Sequence, residues 1–306
     1  MSSTHHHPPA TGHHAHANHA DHHDHARLAA VLDLDAELMA DHLDDAARLI
    51  AESLGHAPVR IADLGAGTGT GTEALARHFP HAQIVAVDGS PDMVALVDRR
   101  ARDGGFDDRV TAVVADLDDG LPPLGSPDVV WAAMSLHHVA DPQRLLREAA
   151  TSLGPDGVVV ITEMAGVPRF VPAHEDTELS GLQDRCGAAA AGAGWEALVD
   201  WTDTFDDAGY DILRFETIHV ERSERSVSVE RSEPSRSVAR YARHWFAQFR
   251  HRLADSLDSA DLALLDHLID ESDSDAQRLD DLTLSAGRLL WIARPRTTAT
   301  PHPESE

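Results

Sequence analysis

The sequence has no lysine, and basic residues are scarce. All 25 basic residues are arginines, and 52 acidic residues outnumber them, so the 306-residue chain has a formal net charge of −27 at pH 7. Such a charge repels the phosphate backbone of nucleic acids and the anionic surface of membranes. No run approaches the roughly 18 apolar residues that a membrane span needs. We therefore expect neither nucleic acid nor a membrane as a partner.

Cysteine is nearly absent as well. Cys186 stands alone, which excludes an intrachain disulfide and a metal site built from several thiolates. The sequence begins with a polar, histidine-rich segment instead of the apolar core of a signal peptide. Hydrophobic residues make up 42% of the chain, enough for a packed globular core. These features predict a cytoplasmic, acidic, globular protein.

The first 26 residues have low complexity and contain ten of the 22 histidines. Such a composition cannot build a core, so we predict a disordered tail. Within it, histidines recur at every third position, and imidazole binds Zn, Ni and Cu ions. The candidate ligands of a weakly bound metal ion are His13, His16, His19 and His22. The alternative is a solvated extension that binds no metal.

A regular alternation of predicted elements follows this tail. Apolar residues recur at helical spacing from Leu28 to Leu54, and short β-branched runs then alternate with helical segments. The predicted strands are Val59–Leu64, Gln83–Val87, Val110–Ala115, Asp128–Ala133, Gly157–Glu163, Tyr210–Val220 and Arg288–Ala293. The predicted helices are Gly71–His78, Met93–Arg102, Pro142–Leu153, Trp201–Gly209, Val238–Leu257 and Ala260–Ile269, the last capped by Ser259. A Gly/Ala-rich segment, residues 187–194, interrupts the pattern.

This alternation predicts an α/β fold with a Rossmann-like, doubly wound, mostly parallel sheet of seven strands. A helical N-terminal cap would occupy residues 27–56, and the Rossmann-like core residues 57–165. A lid, the last strands and a C-terminal helical insertion would complete the same domain over residues 166–295. Residues 1–26 and 296–306 would be disordered tails.

The strongest motif is a glycine-rich loop, DLGAGTGTG at residues 63–71, between the first predicted strand and the following helix. Glycines permit positive φ angles and let a ligand lie against bare backbone. A dinucleotide is one candidate ligand, because residues 69–74 fit G-x-G-x-x-A and Asp88 follows at a suitable distance. However, the Asp63 carboxylate would then repel the pyrophosphate. A cationic ligand suits this loop better.

The pattern Asp63-x-Gly65-x-Gly67-x-Gly69 resembles the first motif of the class I S-adenosylmethionine (SAM)-dependent methyltransferases. The resemblance covers residues 59–164, about a third of the chain. It implies SAM as the cofactor and transfer of a methyl group to a small molecule as the reaction.

The resemblance also implies roles for residues that follow the next two predicted strands. Asp88 would bind the ribose hydroxyls, which agrees with the ability of a carboxylate to accept two hydrogen bonds. Met93 would cover the adenine ring, and Asp116 would accept a hydrogen bond from its amino group. The other residues expected to border the cofactor are Ala66, Gly89, Ser90, Leu117 and Ser135.

The candidate catalytic residues follow the fourth and fifth predicted strands, whose carboxyl ends border the ligand in sheets of this kind. A hydroxyl acceptor needs a base, and histidine, with a pKa of about 6.5, is suited to that role. His137 and His138 are the candidate bases, and Glu163 is a candidate for orienting the substrate. A structural role for each is the alternative. The Asn-Pro-Pro-Tyr type of motif, carried here by family members that modify adenine or amide nitrogen, is absent.

Two other functions stay open. A NAD(P)-dependent oxidoreductase would place a dinucleotide on the glycine loop. A non-catalytic protein of the same fold would use the histidine tail to handle metal. The sequence leaves the methylated atom and the oligomeric state open.

Overall fold

The structure, a computed structural model, describes residues 17–171, 178–195, 200–223, 237–270 and 282–296. Its strands are β1 Arg60–Leu64, β2 Gln83–Asp88, β3 Val110–Val114, β4 Val129–Ala133, β5 Val158–Met164, β6 Tyr210–Ser223 and β7 Thr283–Pro295. Its helices are α1 Ala17–Leu38, α2 Ala40–Leu54, α3 Thr70–His78, α4 Pro91–Gly104, α5 Pro142–Ser152, α6 Glu178–Gly192, α7 Thr202–Asp207, α8 Ser237–Arg252 and α9 Ser259–Ile269. A short 3₁₀ helix, Leu136–His138, follows β4.

The seven strands form one sheet in the order β3-β2-β1-β4-β5-β7-β6. The first five pair in parallel, whereas β7 is antiparallel to both β5 and β6. This arrangement confirms the predicted α/β, Rossmann-like, mostly parallel fold. The strand order reverses between β1 and β4, and such a switch point opens a crevice at the carboxyl ends of the strands. None of the helices in the described ranges is long and apolar enough to cross a membrane.

Helices cover both faces of the sheet, because alternate side chains of each strand point to opposite faces. On one face, Ile61, Trp131 and Val160 pack with apolar side chains of α2, α3 and α4. On the other face, Val130 and Trp291 pack with α5 and α7. Neighbouring residues of one strand therefore pack into two separate core layers, one on each face of the sheet.

Helix α1 begins at Ala17, within the segment 1–26 that was expected to be disordered. The segment is rich in alanine, and a helix that has been nucleated gains one hydrogen bond for each residue added. The end of α1 is held by packing, since Leu34 and Leu38 are buried with Phe170 and Tyr241. Residues 1–16 and 297–306 lie outside the described residues, so the division into tails and core stays a prediction.

The chain between β5 and β6 contains a helix that the sequence pattern did not predict. Helix α6 includes most of the Gly/Ala-rich segment, with Leu182 and Cys186 buried. Alanine has the highest helix propensity, and burial of this face outweighs the cost of the glycines. Between β6 and β7, α8 and α9 form the predicted insertion, and the polar segment 224–236 lies outside the described residues.

The cap of α9 differs from the prediction. Asp258, and not Ser259, is the N-cap residue, and its side chain accepts hydrogen bonds from the backbone N–H groups of Ala260 and Asp261, both at 2.9 Å. Both residue types are favoured at N-caps, so only the backbone shows which position is used.

We expect Asp258→Ala to lower the free energy of unfolding by about 1 kcal/mol, because two backbone N–H groups lose their acceptor. Ser259→Ala is the matched control and should change it by less than about 0.5 kcal/mol. Urea denaturation of the two variants measures the difference. Equal losses would contradict the assigned cap.

Candidate functional site

A cavity of about 440 Å³ lies at the carboxyl ends of β1, β2 and β4, beneath α1 and α2. It lies at the switch point of the sheet, where ligands bind in folds of this kind. Its lining includes almost every residue expected to border a ligand, together with residues from both ends of the chain. From the sequence prediction these are Asp63, Gly65, Ala66, Gly67, Asp88, Gly89, Ser90, Met93, Asp116, Leu117, Ser135 and His138. Gly69 lies just beyond the lining, as the N-cap of α3.

The glycine loop turns sharply between β1 and α3. Gly65, Gly67 and Gly69 have φ angles of +71°, +54° and +82°, in the left-handed region that favours glycine. The backbone N–H groups of Gly65 and Ala66 both donate to the carbonyl of Val87, at 2.8 and 3.0 Å. The loop is thereby held against the end of β2.

The backbone of Gly65 also approaches Ser135 closely. A Cβ at Gly65 would lie 2.4 Å from the Ser135 Cβ, too close for any side chain. The Ser135 hydroxyl donates to the carbonyl of Leu64 at 2.7 Å. This contact joins the end of β1 to the end of β4 and leaves bare backbone facing the cavity.

Asp88 links the loops that follow β1 and β2. One carboxylate oxygen accepts a hydrogen bond from the N–H of Gly67, and the other from the N–H of Ser90, both at 2.8 Å. Each oxygen keeps a further lone pair for a ligand. Ser90 caps α4, accepting from the N–H of Met93 at 3.4 Å, and this helix brings the buried Met93 to the cavity.

Asp116 and Leu117 border the cavity after β3, as predicted, together with Asp118. Asp116 accepts a hydrogen bond from the N–H of Asp118 at 2.9 Å, and Asp118 accepts one from the N–H of Ala140 at 2.9 Å. These bonds fix the turn after β3 against the segment after β4. Asp118 was missed because a third acidic residue in an acidic sequence carries no distinctive signal.

Asp63 is the buried acidic group of the site. Burial raises its pKa to about 6; the hydrogen bond from the Thr72 hydroxyl, at 2.5 Å, opposes this rise, and the negative charge of Asp88 adds to it. A cationic ligand in the cavity would favour the ionised carboxylate, whereas a pyrophosphate would be repelled by it. The electrostatics of the cavity therefore favour a cation near the loop.

The structure separates the three candidate catalytic residues. His138 lines the cavity, whereas His137 and Glu163 do not. His137 Nδ1 lies 2.8 Å from Glu163 Oε2 in a buried pair, and the imidazole rings of His137 and His138 are 4.1 Å apart. The expectation that Glu163 points to the mouth of the cavity is therefore wrong. Side chains alternate along β5, and it is Thr162 that faces the cavity.

A second polar group at the cavity was missed by the sequence prediction. Arg288 of β7 is buried, and its Nη2 donates to Asp35 Oδ1 of α1 at 2.6 Å. The Tyr241 hydroxyl of α8 donates to the same oxygen. His42 of α2 is also buried, and this burial, followed by the charge of Arg288, lowers its pKa to about 3. The sequence signal that could have indicated this group is Arg288 itself, a charged residue next to the apolar run of β7.

The proposed metal ligands are not placed by the structure. His13 and His16 lie outside the described residues. His19 and His22 belong to α1, of which only the backbone is described at these positions. Among the described residues, no group of three or more His, Cys, Asp or Glu side chains is arranged to hold a metal ion.

In comparisons with known proteins, the part of the chain that matches a protein family is the part that forms the glycine loop and the neighbouring strand ends. Residues 61–157 match the family described as Methyltransferase domain. A curated relative, Trans-aconitate 2-methyltransferase from Variovorax paradoxus, is 31% identical over 135 residues, which is 43% of this chain and 50% of that protein. The chain spans about half the length of the curated relatives it matches.

Solved structures that are similar to this chain include a methyltransferase and a cyclase. A SAM-dependent methyltransferase from Geobacter sulfurreducens in complex with S-adenosyl-L-homocysteine is 20% identical, with a TM-score of 0.46 over 82% of this chain and 91% of the other. The [4+2]-cyclase SpnF is 24% identical, with a TM-score of 0.45 over 82% of this chain and 80% of the other.

We expect Gly65→Ala to destabilise the protein more than Gly55→Ala. Both glycines have a positive φ angle, +71° and +75°, which costs alanine about 1–2 kcal/mol in each case. Only at Gly65 does the added methyl group meet another residue, and overpacking adds about 1–3 kcal/mol. Chemical denaturation of both variants separates the two costs. Equal losses would mean that the contact with Ser135 is not tight.

The stability difference between the wild type and Asp63→Asn should depend on pH. Because the pKa of Asp63 is raised to about 6 in the folded protein, its contribution is most favourable below pH 4 and is lost as the pH rises through 6. The wild type should therefore lose up to about 3 kcal/mol relative to the variant between pH 4 and pH 7. Denaturation at several pH values measures this. A constant difference would contradict the raised pKa.

Proposed function

Because the chain contains a class I SAM-dependent methyltransferase domain, we propose that the whole protein transfers a methyl group from SAM to a small-molecule acceptor. The observation that carries the proposal is the cavity at the switch point, where bare loop backbone and carboxylates from three consecutive strand ends meet. When bound, SAM supplies an electrophilic methyl group on a positively charged sulfur.

The residues of the cavity suit this cofactor. Gly65 and Gly67 offer the cofactor backbone without side chains. At Gly65 a side chain is excluded, because it would collide with Ser135. The acidic residues Asp63, Asp88 and Asp116 suit a ligand that carries a sulfonium and an ammonium group and has no phosphate. Such a lining disfavours NAD(P), the ligand of the alternative oxidoreductase reading, because the carboxylates would repel its phosphates.

We assign individual roles on the same basis. The free lone pairs of Asp88 would accept hydrogen bonds from the ribose hydroxyls, while its bonds to Gly67 and Ser90 hold the carboxylate in place. Asp116 would accept a hydrogen bond from the adenine amino group, and Met93 would pack against the ring. Ala66, Gly89, Leu117 and Ser135 would complete the walls of the cofactor site.

The acceptor is proposed to be a small molecule. The cavity holds about 440 Å³, within the range of small-molecule sites, and α1 and α2 form part of its wall. The relative from Variovorax paradoxus is named for trans-aconitate, a small molecule, which supports the same class. We therefore choose trans-aconitate as the first acceptor to assay.

Methyl transfer depends chiefly on alignment of the acceptor with the methyl group, and proximity alone can supply about 7–11 kcal/mol of the barrier. Of the two candidate bases, His138 is the one at the cavity wall, where it would take the proton of a hydroxyl acceptor; a carboxylate acceptor is already ionised and needs no base. His137 and Glu163 act as positioning residues, since Glu163 holds His137 and the rings of the two histidines are 4.1 Å apart.

The test is thermal unfolding of the full chain after chelator treatment, in buffer, SAM, S-adenosylhomocysteine or NAD(H). A ligand at 100 times its dissociation constant adds about 2.7 kcal/mol, which raises the melting temperature by several degrees. SAM and S-adenosylhomocysteine should give this shift, and Asp88→Ala should abolish it. Asp98→Ala, which removes the same charge from the exposed face of α4, is the matched control and should keep it.

Transfer itself is then measured with SAM labelled in its methyl group and trans-aconitate as the acceptor. A shift with NAD(H) alone would overturn the proposal in favour of an oxidoreductase. A response only when metal is restored would favour a metal-handling protein of the same fold.

A further inference from the structure

We propose that the part of the cavity lined by His42, Trp131, Thr162 and Arg288 is an acceptor subsite that binds a carboxylate group. Trp131 Nε1 lies at its border with the glycine loop, beside Gly71. The inference rests on the proposed function, because it assumes that the remainder of the cavity holds the cofactor. It goes further in naming the residues that would bind a carboxylate group of the acceptor.

Three buried polar atoms in this region lack a partner. His42 Nε2, Trp131 Nε1 and Thr162 Oγ1 make no hydrogen bond within the described part of the chain. Their residues are only 4%, 1% and 0% exposed. A buried polar group without a partner costs about 1–3 kcal/mol, so three of them lining one cavity indicate a site built for a ligand.

The fold places these groups together. Ala133 pairs with Thr162, so Trp131 and Thr162 lie on the same face of neighbouring strands. Met164 pairs with Arg288, which puts Arg288 diagonally next to Thr162 on that face. His42 reaches the cavity from α2, which covers this face of the sheet.

The chemistry of the groups selects an anion with several acceptor oxygens. Indole and guanidinium N–H groups only donate hydrogen bonds, and the Thr162 hydroxyl can donate as well. Arg288 is the one arginine or lysine among the described residues that line the cavity. Its Nη2 donates to Asp35, which also lines the cavity, and its Nη1 to the carbonyl of Gly287 at 3.3 Å; a guanidinium with five N–H groups has further donors for a ligand. A carboxylate satisfies convergent donors and one buried cation better than a neutral group does.

His42 supports this assignment because it remains neutral. Its pKa is lowered to about 3, chiefly by burial and then by Arg288, so at neutral pH it adds no second cation. A neutral imidazole donates one hydrogen bond through whichever ring nitrogen carries the proton. The Asp35 carboxylate accepts hydrogen bonds from Arg288 and from the Tyr241 hydroxyl, so Asp35 and Tyr241 serve as positioning residues for Arg288.

The experiment is calorimetric titration of the full chain saturated with S-adenosylhomocysteine. The probes are succinate, glutarate and citrate, with the neutral diamides succinamide and glutaramide as matched controls. At least one carboxylate should bind, and its diamide should bind at least tenfold more weakly. Arg288→Gln should weaken carboxylate binding by about tenfold or more, the effect of losing a charge-assisted hydrogen bond.

Thr162→Val is the second variant, in case Arg288→Gln does not fold. It keeps the shape of the side chain and removes a hydroxyl that has no partner among the described residues, so it should fold and bind the carboxylate about threefold to tenfold more weakly. Thr111→Val, on the edge strand β3, is its matched control and should bind the carboxylate like the wild type.

The outcomes separate this inference from the proposed function. If the wild type does not bind S-adenosylhomocysteine, the proposed function itself fails. If it binds S-adenosylhomocysteine but none of the carboxylate probes, or binds the diamides equally well, the proposed carboxylate subsite is overturned. If Arg288→Gln and Thr162→Val weaken S-adenosylhomocysteine as much as the carboxylate, the donors serve the carboxylate of the cofactor and the subsite does not exist.

Discussion

The site depends on the carboxylate of Asp88, which joins two loops that are far apart in sequence. Its two oxygens hold the N–H of Gly67 after β1 and the N–H of Ser90 after β2. With the close contact between Gly65 and Ser135, these bonds bring three strand ends to one place. The cavity that they border has bare glycine backbone and several carboxylates within a mostly apolar lining.

Much of this half of the molecule was predictable, because its signals are local. Glycines with positive φ angles follow β1 directly, and the acidic residues directly end or follow β2 and β3, so each motif lies beside the strand that positions it. The part of the cavity lined by Arg288 was not predictable in the same way. Arg288 and Asp35 are separated by 253 positions, and nothing near either residue indicates that they pair.

The error at Glu163 has a related cause. A fully buried strand shows no alternation of polar and apolar residues, so the sequence of β5 does not reveal which side chains face the cavity. The helices on either side decide it, and they place Thr162 toward the cavity and Glu163 toward His137. The same ambiguity hid Trp131, which reads as an ordinary core residue of β4.

The position of β7 has a consequence for how the protein matures. This last strand lies between β5 and β6, and it contributes Arg288 to the cavity. Strand β7 also supplies Leu290 and Ile292 to the core on one face of the sheet and Trp291 to the core on the other. Both layers of the core and the Arg288 wall of the cavity are therefore completed only after almost the whole chain has left the ribosome.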